Sequence, residues 1–141
     1  MFKIKYFDHT ADIGFLIKAS TLNELFKSAA LATFDVMTNL KIVKPKKSKK
    51  ISLKNKNIDL LLFNFIEELI FLKDANYFLF SKFKIKINKN KDAYILNCKA
   101  FGEKINTKKH ELKVDVKAIT LHQFYVKKIK NLWNAKIILD I

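Results

Sequence analysis

Arginine is absent from this chain, which limits how the protein can bind nucleic acid. All 28 basic residues are lysines, against 13 acidic residues, so the formal net charge is +15. Proteins that recognise base edges normally use the planar fork of arginine, so dedicated sequence-specific recognition is disfavoured. The abundant Lys, Asn, Ile and Phe have AT-rich codons, so genome composition accounts for much of the charge. The lysines still predict non-specific attraction to RNA.

Glycine, proline and cysteine are scarce, with two, one and one residues. Because Gly14 and Gly102 are the only glycines, neither a Walker A loop nor a dinucleotide-binding fingerprint can be formed. The lone Cys98 can make no intramolecular disulfide and no zinc cluster, and the chain opens without a signal-peptide pattern. These absences predict a protein of the reducing cytoplasm.

Long hydrophobic runs are absent as well. The longest run, Leu60–Leu72, is interrupted by Asn64, Glu67 and Glu68. It falls short of the roughly 18 apolar residues that a membrane span needs, so no membrane association is predicted. Core material is plentiful, since half of the 141 residues are hydrophobic and 13% are aromatic. This length and composition predict one folded domain over residues 1–141.

The first half of the chain predicts two strands and a helix followed by a loop. Phe2–Asp8 and Ile13–Ala19 alternate apolar and polar residues, which is typical of neighbouring strands. Apolar residues then recur at helical spacing over Leu22–Met37, which predicts a helix. Thr21 and Glu24 form a capping box at its start. Lys41–Lys50 holds six lysines and the proline, which predicts an exposed connection.

The second half predicts one more helix and a series of strands. Ile51–Leu53 is a short strand candidate, and Asp59–Lys73 has the apolar stripe of a helix capped by Asn57 or Asp59. From Tyr77 the period changes to two, and a turn at Asn88–Asp92 makes a hairpin. Three further strands are predicted, at Leu112–Ile119, Gln123–Ile129 and Trp133–Leu139. The order is ββαβα followed by five strands, an α+β fold of two amphipathic helices packed on a mixed, mostly antiparallel β-sheet.

Two chain segments bring carboxylates close together in sequence. Asp8 and Asp12 flank His9 between the first two strands, an arrangement suited to metal binding or acid–base chemistry. Ordinary turn chemistry is the alternative, which this segment alone favours. At the other end, the Asp140 side chain is followed by the α-carboxylate of Ile141, and adjacent anions of this kind suit a hard cation. Fraying of the terminus is the alternative there.

A third group of polar residues precedes the C-terminal strands. His110 and Glu111 enter the strand predicted at Leu112–Ile119, and Asp115 and His122 follow. Asp115 shares a face with lysines, which is typical of a solvated ion pair. No spacing of His or Cys residues predicts a zinc site. Cys98 alternates with apolar residues and is predicted to lie in the core rather than act as a nucleophile.

Taken in order, these motifs resemble the archease family, small activator proteins of the GTP-dependent tRNA-splicing RNA ligase. The matching stretches are Phe7–Gly14, Glu24–Phe26, Ala29–Ala30, Met37–Thr38, Leu61–Leu62, Phe65–Leu72, Asp74, Gly102–Glu103, His110–Lys113, Val116–Thr120, His122 and Leu139–Ile141. They run over nearly the full length, and their order makes the resemblance specific.

The resemblance implies a non-catalytic activator that promotes guanylylation of the ligase active-site histidine, supports multiple turnover in tRNA ligation, and broadens nucleotide use. It also implies a divalent cation, typically Ca²⁺ with Mg²⁺ or Mn²⁺ as alternatives, held by Asp12, Asp140 and Ile141. These residues can meet only if the second and last strands are neighbours. Candidates for facing the ligase or supporting the metal ligands are Asp8, His9, His110, Glu111, Asp115 and His122. An acidic strip of Asp8, Asp12, Asp115 and Asp140 is expected to face the ligase.

Two other interpretations stay open. A chaperone-like or RNA-binding module would use the lysine-rich surface, and an exposed Tyr or Phe among the lysines of Tyr77–Ile87 would favour it. A small metal-dependent hydrolase would need a concave pocket and an activated water, and the sequence indicates neither.

Overall fold

The computed structural model describes residues 2–9 and 12–141, with the backbone alone for residues 2 and 7–9. The elements are β1 (Phe2–His9), β2 (Asp12–Ala19), α1 (Leu22–Asp35), a 3₁₀ turn (Leu40–Ile42), β3 (Lys47–Asn55), α2 (Ile58–Asn76), β4 (Phe78–Lys89), β5 (Tyr94–Lys104), β6 (Ala118–Ile129) and β7 (Leu132–Asp140). Thr10 and Ala11 of the opening motif lie outside the described residues.

The strands form two antiparallel sheets with the helices between them. One sheet has the order β1-β2-β7-β6 and the other β3-β5-β4. Both helices contact strands of both sheets, which places the core around the helices. The largest fully buried side chains come from all of these layers: Phe15, Ile17, Leu25, Phe26, Phe34, Leu61, Leu62, Phe65, Ile66, Leu69, Leu79 and Phe80.

Local sequence signals set several element ends. The Glu24 N–H donates to the Thr21 Oγ1 at 3.1 Å, which confirms the predicted cap of α1. Asn57 is the N-cap residue of α2, although its side chain makes no capping hydrogen bond. Lys130 and Asn131 both have positive φ, which is the geometry of a tight turn that matches the twist of the β6–β7 hairpin. In the part of the chain that the structure describes, neither helix is long and apolar enough to span a membrane.

The α+β class and the ββαβα order are confirmed, but four strands follow α2 rather than five. Of the segment predicted as a strand at Leu112–Ile119, only the last two residues belong to a described strand, β6. Leu112 makes an isolated bridge with Thr38, and residues 113–117 lie in no described strand. Leu112 is 52% exposed, whereas Val116 is fully buried. Alternation of apolar and polar residues is therefore not enough to establish a strand here. The sheet predicted as mixed is instead two sheets, and every described strand pair is antiparallel.

The predicted loop Lys41–Lys50 is also corrected, because β3 begins at Lys47. Its first four residues pair with Lys99–Gly102 of β5. The run of lysines hides the alternation that marks a strand, since charged residues occupy both of its faces. Pairing with β5 decides the conformation of these residues, and a single sequence does not show that pairing.

Candidate functional site

Asp12 and Asp140 lie directly opposite each other on β2 and β7. This pairing confirms the prediction that the second and last strands are neighbours. Directly opposed residues of an antiparallel pair project from the same face with Cβ atoms about 5 Å apart. Both side chains are half-buried. On its other side Asp140 pairs with Ala118 of β6, and its carbonyl oxygen accepts the Lys117 N–H at 2.8 Å, which fixes the end of β7.

Two like charges held opposite each other in a sheet are destabilising unless a cation or hydrogen-bond donors lie between them. Carboxylate oxygens are the ligands that Ca²⁺, Mg²⁺ and Mn²⁺ prefer, so the donor set fits the cation class. Among the described side chains, no group of three or more His, Cys, Asp or Glu residues is placed to hold one metal ion. Asp12 and Asp140 could supply two ligands to such a cation, and Ile141, which is half-buried and follows Asp140, stays the predicted third.

The β1 strand brings the opening motif beside this pair. His9 is opposite Asp12 in the register of β1 and β2, and Asp8 is opposite Ile13. The backbone positions of His9, Asp12, Asp140 and Ala118 thus form one row across four strands. The first two segments that the sequence singled out, the opening motif and the C-terminal strand, meet at this edge of the sheet.

His110, expected either to face the ligase or to support the metal ligands, is buried rather than at the surface. It is 3% exposed, and its Nδ1 accepts the Asn106 N–H at 2.9 Å. Because that ring nitrogen is an acceptor, the proton is on Nε2, which donates to Glu103 Oε2 at 3.1 Å. The interaction ties the loop after β5 to the end of that strand, so His110 stabilises the fold locally.

Glu103 is the centre of that interaction. Its Oε2 also accepts the Lys44 N–H at 2.7 Å and Lys109 Nζ at 2.6 Å. Burial raises the pKa of Glu103, but the hydrogen bonds from Lys109, Lys44 and His110 outweigh it and lower the pKa to about 2. Sequence analysis missed this role because the two flanking loops come together only in the fold.

Asp115, Glu111 and His122 do not join the Asp12–Asp140 pair in a group of three potential metal ligands among the described residues. Asp115 accepts a 2.7 Å hydrogen bond from Lys73 Nζ, whose own side chain is buried at the end of α2. The exposed Glu111 contributes its backbone carbonyl to Thr38 Oγ1 at 2.6 Å. His122 is exposed on β6, where the register with β7 is interrupted. Lys73 Nζ also pairs with Asp74 Oδ1 at 2.9 Å, so one buried ammonium group is shared by two carboxylates. The membership of Asp115 in an acidic strip that faces the ligase stays a prediction.

Two further observations bear on the alternatives. Cys98 is buried, as predicted, and burial raises the pKa of its thiol to about 12, so it carries no nucleophilic thiolate. Tyr77 is 69% exposed but precedes β4. The aromatic residue among the β4 lysines is instead Phe101, which lies opposite Lys82 from the neighbouring strand β5. The alternation of residues in β4 predicted that its lysines share one face. It did not predict which residues of β5 lie beside those lysines.

The Archease protein family model matches residues 4–141. Protein archease of Thermococcus kodakarensis is 40% identical over 142 residues and protein archease of Sulfolobus acidocaldarius is 38% identical over 141, with 100% of both chains covered in each case. The solution structure of Methanobacterium thermoautotrophicum protein 1598 is 37% identical, covers 98% of both chains and superposes with a TM-score of 0.88. A crystal structure described as an archease, possible chaperone, from Thermotoga maritima has a TM-score of 0.64 at 17% identity and covers 97% of this chain and 96% of its own, which shows the shared fold.

Proposed function

The chain belongs to the archease family, and from this membership together with the Asp12–Asp140 pair we propose that it activates the GTP-dependent tRNA-splicing RNA ligase without catalysing the reaction. It promotes guanylylation of the ligase active-site histidine, so that each ligase molecule completes many rounds of tRNA ligation. It also broadens the nucleotides that the ligase accepts. The chemistry stays with the ligase, and the activator contributes a bound cation and a shaped surface.

The observation that carries this proposal is the cross-strand placement of Asp12 and Asp140. A divalent cation, with Ca²⁺ as the first candidate and Mg²⁺ or Mn²⁺ as alternatives, is held by these carboxylates and by Ile141. Bound between the carboxylates, such a cation would offset their repulsion at the end of β7, which the β2 and β6 ladders already hold in place. This ordered edge, with the backbone of His9 in the same row, is the surface that faces the ligase.

The experiment is RNA ligation by the ligase of the same organism, at limiting enzyme, with and without this protein. Many products per ligase molecule are expected only when the protein is present. The Asp140→Asn variant is expected to lose most of this stimulation, because it removes one of the two side-chain carboxylates from the cation site. Asp92→Asn is the matched control, since Asp92 lies in the exposed turn between β4 and β5. Unchanged turnover with folded protein and active ligase would contradict the proposal.

A chaperone-like role, which has been suggested for the Thermotoga maritima archease, makes a different prediction in the same assay. A chaperone increases the fraction of ligase molecules that are active, whereas the proposed activator increases the number of turnovers per active molecule. Titrating active ligase sites before and after incubation separates the two. An increase confined to the number of active sites would favour the chaperone.

A further inference from the structure

The outer face of the β3-β5-β4 sheet carries a concentrated patch of lysines. The register places Lys50, Lys99 and Lys84 directly opposite one another across the three strands. The neighbouring rows contain Ser48, Phe101 and Lys82 on one side and Ser52, Asn97 and Lys86 on the other. These three rows contain no acidic residue. We call the set Lys50, Lys82, Lys84, Lys86, Lys99 and Phe101 the lysine face; its lysines are exposed and Phe101 is half-buried.

The lysines converge on Phe101 rather than spreading apart. The Nζ atoms of Lys82 and Lys84 are each 5.6 Å from the ring centroid, and that of Lys99 is 5.9 Å away. Cation–π attraction favours this arrangement at each lysine. Like charges directly opposite each other in a sheet are nevertheless destabilising, and no carboxylate in the three rows offsets them. The face therefore combines a strong positive potential with an aromatic ring at its centre.

We propose that the lysine face binds single-stranded RNA with little sequence preference. Phosphates contact the lysines, and a base stacks at Phe101 on the middle strand. An aromatic residue in the middle of an open sheet, surrounded by cations, is how many single-stranded nucleic-acid binders hold their ligands. A depression of about 310 Å³ on this face is lined by Lys50, Ser52, Lys84, Asn97 and Lys99, among others, and offers both charges and polar groups to a nucleotide.

The absence of arginine decides the kind of recognition. Lysine ammonium groups act as point charges on phosphates, whereas arginine forks read base edges. The face is therefore suited to the RNA backbone and to stacking. It lies in the opposite sheet from the Asp12–Asp140 pair, and its RNA binding needs no ligase. The inference thus goes beyond the proposed function, and failure of either one leaves the other standing.

The test is fluorescence anisotropy of a labelled 12-nucleotide oligouridine, titrated with the full chain over a series of salt concentrations. The variant Lys82→Gln/Lys84→Gln/Lys99→Gln is expected to bind about tenfold more weakly at low salt. The slope of log affinity against log salt should fall in magnitude by about 2, because three phosphate contacts are lost. The matched control is Lys3→Gln/Lys5→Gln/Lys18→Gln, three exposed lysines of the other sheet with the same loss of charge. The control should stay within twofold of wild type.

A second pair of variants isolates stacking from charge. Phe101→Leu keeps an apolar side chain and every lysine, and is expected to weaken binding at least about fivefold with an unchanged salt slope. Phe101→Tyr keeps a ring and should bind like wild type. Thermal unfolding of both variants checks that the sheet is intact, and the two lysine triples still decide whether this face binds RNA if Phe101→Leu unfolds.

Three results would overturn the inference. Equal weakening by both lysine triples would show that binding follows net charge and not this face. Polyglutamate that competes as well as RNA of equal charge would indicate an acidic protein surface as the occupant. Duplex RNA that binds as tightly as oligouridine, with no effect of Phe101→Leu, would exclude the stacking contact.

Discussion

Asp12 and Asp140 are two carboxylates that the backbone itself holds together. Their pairing follows from the β2–β7 register, so neither residue can move away without breaking the ladder at the strand ends. In the absence of a cation the repulsion costs stability, and with a cation the same geometry becomes a binding site. Removing one charge should therefore have opposite effects under the two conditions.

We expect Asp12→Asn to raise the melting temperature in chelator, because it removes a cross-strand repulsion of about 0.5 kcal/mol. In saturating Ca²⁺ the order should reverse, since a ligand at 100 times its Kd stabilises a binding protein by about 2.7 kcal/mol. Thermal unfolding of both proteins in both buffers measures this. Asp92→Asn should follow wild type in each buffer. Equal stabilisation of wild type and Asp12→Asn by Ca²⁺ would contradict the assignment.

Glu103 provides a pH-dependent contribution to stability. Its folded pKa is lowered to about 2, so the unfolded chain takes up the proton first as the pH falls. The contribution is fully present above the unfolded pKa of about 4.5 and is lost as the pH falls toward 2. Glu103→Gln should cost about 2 kcal/mol at pH 7, because it removes charged hydrogen bonds from a buried position.

Urea unfolding of wild type and Glu103→Gln between pH 7 and pH 2.5 should therefore show a difference that shrinks below about pH 4.5. Glu111→Gln is the matched control, because it removes the same charge at an exposed position and should change stability little. A difference between wild type and Glu103→Gln that is independent of pH would show that folding does not lower the pKa of Glu103, which would contradict this assignment.

Individual site residues could be predicted from sequence only where the chain itself carries the pattern. The Asp12–Asp140 pairing was expected because the resemblance named both residues and strand adjacency followed from it. The burial of His110 was not predictable, because it depends on where the fold places Glu103. The Glu103 carboxylate also accepts the N–H of Lys44, 59 residues away in the chain. The ion pair of Asp115 likewise depends on Lys73 of α2, 42 residues earlier.

At the scale of elements, repulsion between the neighbouring lysines of the lysine face lowers the stability of the β3-β5-β4 sheet. Lys50 on β3 lies directly opposite Lys99 on β5, which in turn lies opposite Lys84 on β4. A sheet optimised only for stability would place opposite charges in such a row. Reversing one charge on the edge strand β3 measures how much this repulsion lowers the free energy of unfolding, without any RNA present.

Lys50→Glu should stabilise the protein by about 0.5–1 kcal/mol at low salt, because an attraction replaces a cross-strand repulsion. The gain should shrink as added salt screens the pair. Lys54→Glu is the matched control, since Lys54 is also exposed on β3 but faces Ile95 across the ladder. Denaturant unfolding at low and high salt measures both. An equal gain in the two variants would show that only the net charge matters.

Elements with a clear internal period were predictable, and those defined by long-range pairing were not. The α1 helix starts at Leu22 as expected, because its cap and stripe are local. The β4–β5 hairpin is confirmed too, with Asn90 accepting the N–H groups of its turn. By contrast, the start of β3 depends on β5, and the segment before β6 alternates without joining a sheet, so neither boundary follows from periodicity.

At the scale of the whole molecule, two surfaces with opposite charge preferences sit in different sheets. The β1-β2-β7-β6 sheet carries the paired carboxylates, and the β3-β5-β4 sheet carries the lysine face. With a net charge of +15, contact with an equally basic partner would be slowed except at such an acidic edge. We propose that the edge with the Asp12–Asp140 pair contacts the ligase and that the lysine face binds RNA.

The most direct test of the central claim is the rate at which the ligase histidine acquires GMP from labelled GTP, measured with no RNA present. Wild type and the Lys82→Gln/Lys84→Gln/Lys99→Gln variant should raise this rate equally, because the three substitutions leave Asp12 and Asp140 unchanged. Asp12→Asn and Asp140→Asn should leave the rate near that of ligase alone. A guanylylation rate that wild type does not change, or that both aspartate variants raise as wild type does, would contradict the account.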